Sequence, residues 1–443
     1  MRTLTFKHGV HPPGNKELSC NEPIRVLMPK AGQEMVFPMS QHLGAPCEPV
    51  VAKGDYVKIG QLIAESKAFV SSPIHSSVSG TVKDIRPWLV PTGGTVNSIV
   101  IENDGKNEEI EAMNSRSNYM SLSKEEILDI IKNAGVVGLG GAGFPTHIKL
   151  NPPPDKKIDH IIVNAAECEP YLTTDHRVML EEGDRLVRGL EIILKLHPGA
   201  KGIIGVETNK PDAIESLTKL INGKENIEVV GLVPKYPQGS EKHLIYACTQ
   251  REVPSGKLPA DVGCIVDNVD TVVAIERAVV RGRPLMRRVI ALTGRAVNNP
   301  GNYKVRIGML YKDLIEAAGG FKTEPYKMVS GGPMMGFSLF TLDIPIIKTS
   351  SALLCLTEDE APTPEERNCI RCGRCVEHCP MSLMPNELNQ YILNDKLDLF
   401  EQGSGADCIE CGSCSYVCPA KRHLAQTIKY GRRSVMAARA AKK

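Results

Sequence analysis

At 443 residues, with 53 Lys plus Arg against 51 Asp plus Glu and a formal charge of +2, the chain is long enough for about three domains and carries no global field for wrapping nucleic acid. With 42% apolar and 23% charged residues its composition is that of an ordinary globular protein, which excludes disorder. No stretch reaches the roughly 18 uninterrupted apolar residues of a spanning helix, and the opening MRTLTFKHGVHPPGNK lacks the apolar core of a secretory signal, so a soluble, cytoplasmic protein is expected.

Residues 30–105 read as short strands divided by Gly and Pro turns, as in VAKGDYVKIGQLIAES and FVSSPIHSSVSGTVKDI, and predict a small β domain. The pattern resembles the barrel-sandwich fold of lipoyl and biotinyl carrier domains. Lys67 falls near the carrier lysine of those domains, but the likeness covers only the scaffold, and Lys67 is read as an ordinary lysine. A polar linker, NDGKNEEIEAMNSRSN, follows. In SLSKEEILDIIKNAG, Ser123 precedes Glu126 by three as in a capping box, Ile127, Ile130 and Ile131 share a face, and the helix ends at Gly135.

From there to residue 286 strand-like runs (HIIVNAAE, KGIIGVE, NIEVVGLV, CIVDNV) alternate with helical ones (EEGDRLVRGLEIILKL, PDAIESLTKLING, TVVAIERAVV), the order of an α/β domain over 120–286. Residues 287–345 return to short strands, turns and one helix, as a small mixed domain. TEDEAPTPEERN is a linker into a cysteine-rich region over 360–430, and the chain closes on KRHLAQTIKYGRRSVMAARAAKK, which holds no acid. That basic tail suits either anionic lipid or a plain solvated helix end.

Eight of the fourteen cysteines form a repeat: CIRCGRCVEHCP at 369–380 and CIECGSCSYVCP at 408–419 both read Cys-x-x-Cys-x-x-Cys-x-x-x-Cys-Pro. In two-cluster ferredoxins the fourth cysteine of such a run ligates the other cluster. Cys369, Cys372, Cys375 and Cys418 are therefore assigned to one [4Fe-4S] cluster and Cys408, Cys411, Cys414 and Cys379 to the other, with Gly373 and Gly412 letting the backbone pass near the sulfides. The alternative, paired structural zinc sites, usually shows separated Cys-x-x-Cys pairs. The other six cysteines are scattered, and Cys168 is expected to be a packing residue.

GLGGAGFPTHIKL at 138–150 satisfies G-x-G-x-x-G but follows a capped helix rather than a strand, so an ordinary dinucleotide fold does not follow from it. Its exposed amides still suit a phosphate, a tight structural turn being the other reading. With NAAECEPYLTTDHR, YPQGSEKHL and DNVDT further on, the segment order over 123–345 resembles the flavoprotein subunit of respiratory complex I and the diaphorase subunits of hydrogenases, which bind FMN and NADH in one cleft. The domain after 287 resembles the ubiquitin-like (β-grasp) SLBB module that follows the flavin domain there.

This resemblance implies that Gly138, Gly140, Gly141 and Gly143 shape the loop at the flavin, that Phe144 offers a stacking face and that Lys149 neutralises phosphate. It implies that Asn164, Glu167 and Glu169 contact flavin or ribose, that Tyr236, Gly239 and Glu241 flank the cleft, and that Asn268 bonds the flavin phosphate or ribityl chain. Ala166 and Ser240 depart from acidic residues of the complex I subunit. No general acid or base is expected, because hydride transfer needs none.

With a barrel-sandwich domain in front and a two-cluster helical module behind, the chain resembles along its length the C subunits of Rnf (Rsx) ion-translocating ferredoxin:NAD oxidoreductases. That family implies two [4Fe-4S] clusters, FMN and NAD(H), partner membrane and ferredoxin-like subunits, and a peripheral place on the cytoplasmic face of the cell (inner) membrane. A flavin is also required on chemical grounds, because nicotinamides exchange two electrons as hydride and iron–sulfur clusters one. Two alternatives stand beside it: a cobalamin reductase of microcompartments, which the barrel-sandwich domain in front disfavours, and a non-catalytic relay subunit.

Overall fold

The computed structural model describes residues 3–441. Its central unit is a five-stranded sheet in the order Thr3–Leu4, Ile227–Leu232, Lys201–Glu207, His160–Ala165, Cys264–Asn268, with every pair parallel. The four long strands are the four runs expected from sequence; the edge strand Thr3–Leu4 comes from the extreme N-terminus, which gave no strand signal. Alternate residues face opposite layers. Ile161, Val163 and Ala165 pack with Leu186, Leu190, Ile193, Val272 and Val279 under helices Gly183–Leu196 and Val269–Arg281, while Ile162 packs with Leu244 and Ile245 of helix Glu241–Thr249. The two helices of the first layer cross so closely that a Cβ on Gly189 would collide with the Val272 carbonyl oxygen.

Ahead of this unit, two antiparallel sheets enclose Met35, Phe37, Val57, Ile63, Ile74, Val82, Ile99 and Ile101. One contains the long hairpin Gly80–Leu89 and Thr95–Asn103, with a bulge after Val82; the other is the three-stranded Glu48–Pro49, Leu62–Glu65, Ile74–His75. The segment expected to be a linker is pinned instead. Ile59 pairs with Glu109, Met113 is buried against Ile59 and Met286, and the Arg116 amide donates to the Val280 carbonyl. The capping box of helix Lys124–Asn133 forms as the sequence requires, with bonds of 2.6 and 3.2 Å.

The third sheet runs Phe337–Leu339, Lys327–Ser330, Ala352–Leu356, Arg287–Thr293, Gly301–Arg306, Arg25–Val26, with helix Tyr311–Ala317 against it. Ala352–Leu356 is a central strand, beyond the boundary at residue 345 expected from sequence. Every one of its residues is buried, so it shows no alternation to read. Behind it the cysteine region folds into short helices around Leu383, Leu388, Ile392, Phe400, Ile428 and Val435. The terminal helix Leu424–Ala441 is tied back, Arg432 and Lys429 to Glu410 and Arg439 to Glu401, so part of its positive charge is already matched; Lys442 and Lys443 of the basic tail lie outside the described residues.

Two buried ionisable groups join the domains. Lys348, after the third sheet's helix, donates to the carbonyls of Pro73 (2.6 Å) and Gly135 (2.8 Å) and so bridges three units. Glu182, at the start of helix Gly183–Leu196, meets Arg277 (2.7 Å), Arg185 (2.7 Å) and Lys304 (2.5 Å). Burial works against its charge, but Arg277, Lys304 and Arg185 outweigh it and hold the carboxyl at about 2. A carboxylate depressed in the fold stabilises it fully above the ordinary value, and this stability fades as pH falls from about 4.5 towards about 2. Glu182→Gln is expected to lose on the order of 2 kcal/mol at neutral pH, the full shift being discounted for partial solvent screening. Denaturant titrations should show the variant's deficit shrinking over that acid window; an unchanged deficit at pH 7 and pH 3 would rule the network out as a stabiliser.

Candidate functional site

The C-terminal ends of strands His160–Ala165 and Cys264–Asn268 carry the residues singled out by sequence, at the edge where open parallel sheets bind ligands. Facing them is the glycine-rich loop, closed at its base by the Gly138 amide on the Phe144 carbonyl (2.9 Å) and the Val137–Pro145 bridge. Leu139 is fixed on both sides: its amide donates to Thr271 Oγ1 (2.9 Å), and its carbonyl accepts from the buried Arg288 (3.1 Å). Gly143 accepts from the Leu43 amide, and a Cβ there would stand 2.6 Å from Thr349. Gly140, Gly141 and Ala142 are exposed, and among the described residues their amides have no hydrogen-bond partner. A Cβ on Gly140 would lie 2.9 Å from the Asn268 side chain, while one on Gly141 would meet nothing. Free amides over an open edge are the donor set a nucleotide phosphate or a flavin carbonyl takes.

Asn268 caps helix Val269–Arg281 by accepting from the Asp270 amide (2.9 Å) and donates to Asp175 (2.7 Å). Asp175 is half-buried; desolvation, then the nearby Glu167 and Asp270 carboxylates, raise its pKa. Sequence reading passed over Asp175, although it stands in the quoted DHR. Glu167 caps helix Thr174–Glu181, its carboxylate accepting from the Asp175 amide at 2.6 Å. Glu169 reaches away to the amides of Met334 and Met335, both at 3.1 Å. Burial pushes its carboxyl up to about 7 against the pull of those two amides. Asn164 donates to the Gly239 carbonyl (2.7 Å), joining the acidic turn to the YPQGS loop. Cys168 accepts from the Gly239 amide at 3.3 Å, and burial pushes its thiol up to about 12, the behaviour of a packing residue.

Lys149 lies beneath the strand end. Its ammonium donates to the Val266 carbonyl (2.8 Å) and lies 3.5 Å from Asp267 and 3.7 Å from Glu241. Burial opposes its charge, yet these two carboxylates raise its pKa. Its charge is matched beneath the strand end, and Glu241 is drawn into the same pair.

The acidic turn does not hold itself. Glu167 and Tyr171 both adopt positive φ, +52° and +66°. Lys16, from the N-terminal HPPGNK segment, donates to the carbonyls of Glu167 (2.8 Å), Glu169 (3.1 Å) and Leu172, and the buried Lys210 donates to that of Ala166 (2.9 Å). The same arm pairs Val10 with Tyr236 and gives the Gly14 carbonyl to the Tyr171 amide (2.7 Å). Lys16 was legible only as a lysine in a Gly/Pro segment.

The eight clustered cysteines line two separate cavities. Cys379, Cys408, Cys411 and Cys414 surround an apolar, largely enclosed one; Cys369, Cys372, Cys375 and Cys418 surround a roomier one, where Cys369 and Cys372 are exposed. These are the two ligand sets assigned from the repeat. Among the described residues no three His, Cys, Asp or Glu side chains converge on a single ion. A tetrahedral zinc site needs sulfurs about 4 Å apart, whereas thiols spread around a cavity suit a four-iron cubane. Gly373 and Gly412 both have positive φ, +77° and +78°, which accounts for glycine at each. The enclosed cavity abuts the cleft: Tyr236 donates to the Cys411 carbonyl (2.7 Å), and Cys168, Tyr236, Cys411 and Met334 pack together.

Four family models match consecutive stretches: the RnfC barrel sandwich hybrid domain over 4–106, the Nuo51 FMN-binding domain over 131–277, the SLBB domain over 289–338 and the 4Fe-4S dicluster domain over 368–423. The C subunit of the proton-translocating ferredoxin:NAD(+) oxidoreductase complex of Clostridium ljungdahlii is 51% identical over 96% of this chain and 93% of that protein. Its Na(+)-translocating counterpart from Acetobacterium woodii is 46% identical over 98% of each. The C subunit of the ion-translocating oxidoreductase complex of Haemophilus influenzae strain PittEE is 39% identical over 86% of this chain, which spans 59% of that longer protein. A crystal structure of an NAD+-reducing [NiFe]-hydrogenase in the H2-reduced state shares the fold, with a TM-score of 0.50 and 16% identity over 73% of this chain and 63% of that one.

Lys16→Met leaves three converging carbonyls without their donor, and buried acceptors of this kind cost about 1–3 kcal/mol. Denaturant unfolding of the loaded chain should register that loss. Lys16→Arg is expected to restore only part of it, since a planar fork does not aim three donors from one apex. A loss below about 0.5 kcal/mol, the range of ordinary surface changes, would show that the turn holds without the clamp.

Proposed function

We propose that this chain, which belongs to the family of C subunits of ion-translocating ferredoxin:NAD(+) oxidoreductase complexes, is the subunit at which such a complex exchanges electrons with NAD(H). The chain is an NAD-linked oxidoreductase subunit with FMN and two [4Fe-4S] clusters. FMN exchanges a hydride with nicotinamide and single electrons with iron–sulfur clusters, which is the conversion the family's reaction requires. The observation that carries the reading is the contact of the two sites: the enclosed cysteine cavity lies against the acidic turn through Tyr236 and Cys411.

In this reading the free amides of Gly140, Gly141 and Ala142 receive the flavin or its phosphate, Gly138 and Gly143 hold the loop's base, and Phe144 borders it. Asn164, Glu167 and Gly239 hold the cleft wall, Asn268 sets the loop against the helix cap, and Glu169 fixes the wall to the third sheet. Glu241 and Lys149 support the strand end from beneath. Tyr236 holds the set of Cys379, Cys408, Cys411 and Cys414 to the cleft, and the set of Cys369, Cys372, Cys375 and Cys418 opens outward. Beside that outward cavity Ile370 is 69% exposed with Arg371 and Arg374 next to it, a face suited to an acidic ferredoxin-like partner subunit. No helix among the described residues is long and apolar enough to cross a membrane, which suits peripheral attachment at the cytoplasmic face through partner subunits.

After anaerobic reconstitution, about eight irons and one FMN per chain are expected, and NADH should bleach the flavin and cluster absorbance. No bleaching, or no retained flavin, would favour a relay subunit. The ligand sets have their own test. Cys369→Ser with Cys418→Ser strikes one cavity and should leave about four irons, while Cys369→Ser with Cys379→Ser strikes both and should leave neither cluster intact. Four irons retained in the second pair would mean that the fourth ligands are not exchanged.

A further inference from the structure

The far end of helix Val269–Arg281 stands about 20 Å from Asn268, at 1.5 Å per residue over 13 residues. There the structure gathers cations from two domains. Arg277 and Arg283 come from the helix end, and Arg287, Lys304 and Arg306 from the antiparallel pair Arg287–Thr293 and Gly301–Arg306 of the third sheet. Arg287 lies directly opposite Arg306 in that pair, and Lys304, two residues before Arg306, shares its face. Like charges directly opposite each other destabilise a sheet.

Two carboxylates reach this joint, and both are occupied. Glu182 binds Arg185, Arg277 and Lys304, and Glu109 binds Arg283 at 2.5 Å. Neither Arg287 nor Arg306 has an ion-pair partner among the described residues. Arg306 is only 5% exposed, and its Nε and Nη1 are buried with no acceptor, while Arg287 beside it is open to solvent. A guanidinium taken out of water without a partner is one of the costlier arrangements in a folded protein. Burial first, and then the charge of Arg287, bring the Arg306 pKa down to about 10.

We propose that this joint binds a phosphate-sized oxoanion, held between the guanidinium groups of Arg306 and Arg287 with Arg283 at its rim. Two guanidiniums present planar pairs of donors that match the edges of a tetrahedral oxoanion, and a dianion balances the two unmatched charges where a single carboxylate would not. Arg287 marks the open side by which the ligand enters. The site lies at the seam where the flavin-domain helix, the third sheet and the segment around Glu109 and Met113 meet, at the opposite end of the helix from the cleft. The phosphate belongs either to a small soluble molecule or to a phospholipid headgroup.

Equilibrium dialysis of the full, cofactor-loaded chain against radiolabelled inorganic phosphate, with a thermal unfolding series alongside, tests the soluble source. Sedimentation with vesicles of phosphatidylcholine, with and without phosphatidic acid, tests the lipid. Saturable binding of one anion per chain, or vesicle binding that requires phosphatidic acid, is expected, weakened at least about 10-fold in Arg287→Gln and in Arg306→Met. Arg287→Gln alters an exposed side chain, so it answers the question even where Arg306→Met compromises folding. NADH-dependent acceptor reduction should be unchanged in Arg287→Gln. Absence of saturable binding in both arms, or equal binding by wild type and Arg287→Gln, would overturn the proposal.

Discussion

The cleft depends on one ammonium group. Backbone carbonyls of Glu167, Glu169 and Leu172 point inward around Lys16, in a turn where two non-glycine residues sit in the left-handed region. Converging carbonyl dipoles repel and left-handed residues are strained, so such a turn forms only where something else over-determines it. Lys16 does so from one side and Lys210 from the other. What the strain provides is separation. With Glu167 turned to the helix cap and Glu169 turned to the Met334 and Met335 amides, one short turn joins the flavin-type sheet, the third sheet and the region of Cys411.

The exchanged fourth cysteines have a structural consequence of their own. Because Cys379 lines the cavity of the second motif and Cys418 that of the first, neither motif closes without the other. The small core of Leu388, Ile392, Phe400 and Ile428 then needs to fix only the angle between two mutually completed halves. The halves differ in setting. One cavity is apolar and pressed against the nucleotide-type domain, the other open with exposed thiols, so an otherwise symmetric repeat acquires an inner and an outer end.

Much of this was legible in the sequence, and the remainder was not for identifiable reasons. Spacing alone reveals the cysteine repeat, because thiolate geometry demands fixed intervals, and the strand–helix alternation reveals the parallel sheet. Ala352–Leu356 escaped because a strand buried on both faces has no period. Thr3–Leu4 escaped because two residues carry no pattern, and they pair only because Ile227–Leu232 offers an open edge. Lys16 and Asp175 are ordinary residues in sequence. Their significance lies in contacts 93 to 156 positions away, as in Asn268 to Asp175 and Lys16 to Leu172.

The charge distribution at the cleft bears on how a phosphate is received there. Lys149, the nearest expected counter-ion, is matched by Asp267 and Glu241, and Arg288 is matched by Asp270. The nearby Asp175 and Glu167 are acidic, so a phosphate at this edge meets no unmatched lysine or arginine among these groups. What remains is the row of amides on Gly140, Gly141 and Ala142, which attract an anion by dipole alone, next to Leu139, which is tied to Thr271 and Arg288. Desolvation of Asp175, with Glu167 and Asp270 beside it, favours its neutral form and reduces the repulsion an anion would meet. Glycine is needed in this loop: side chains at Gly140 and Gly143 would strike Asn268 and Thr349, and the row of donors would lose its place.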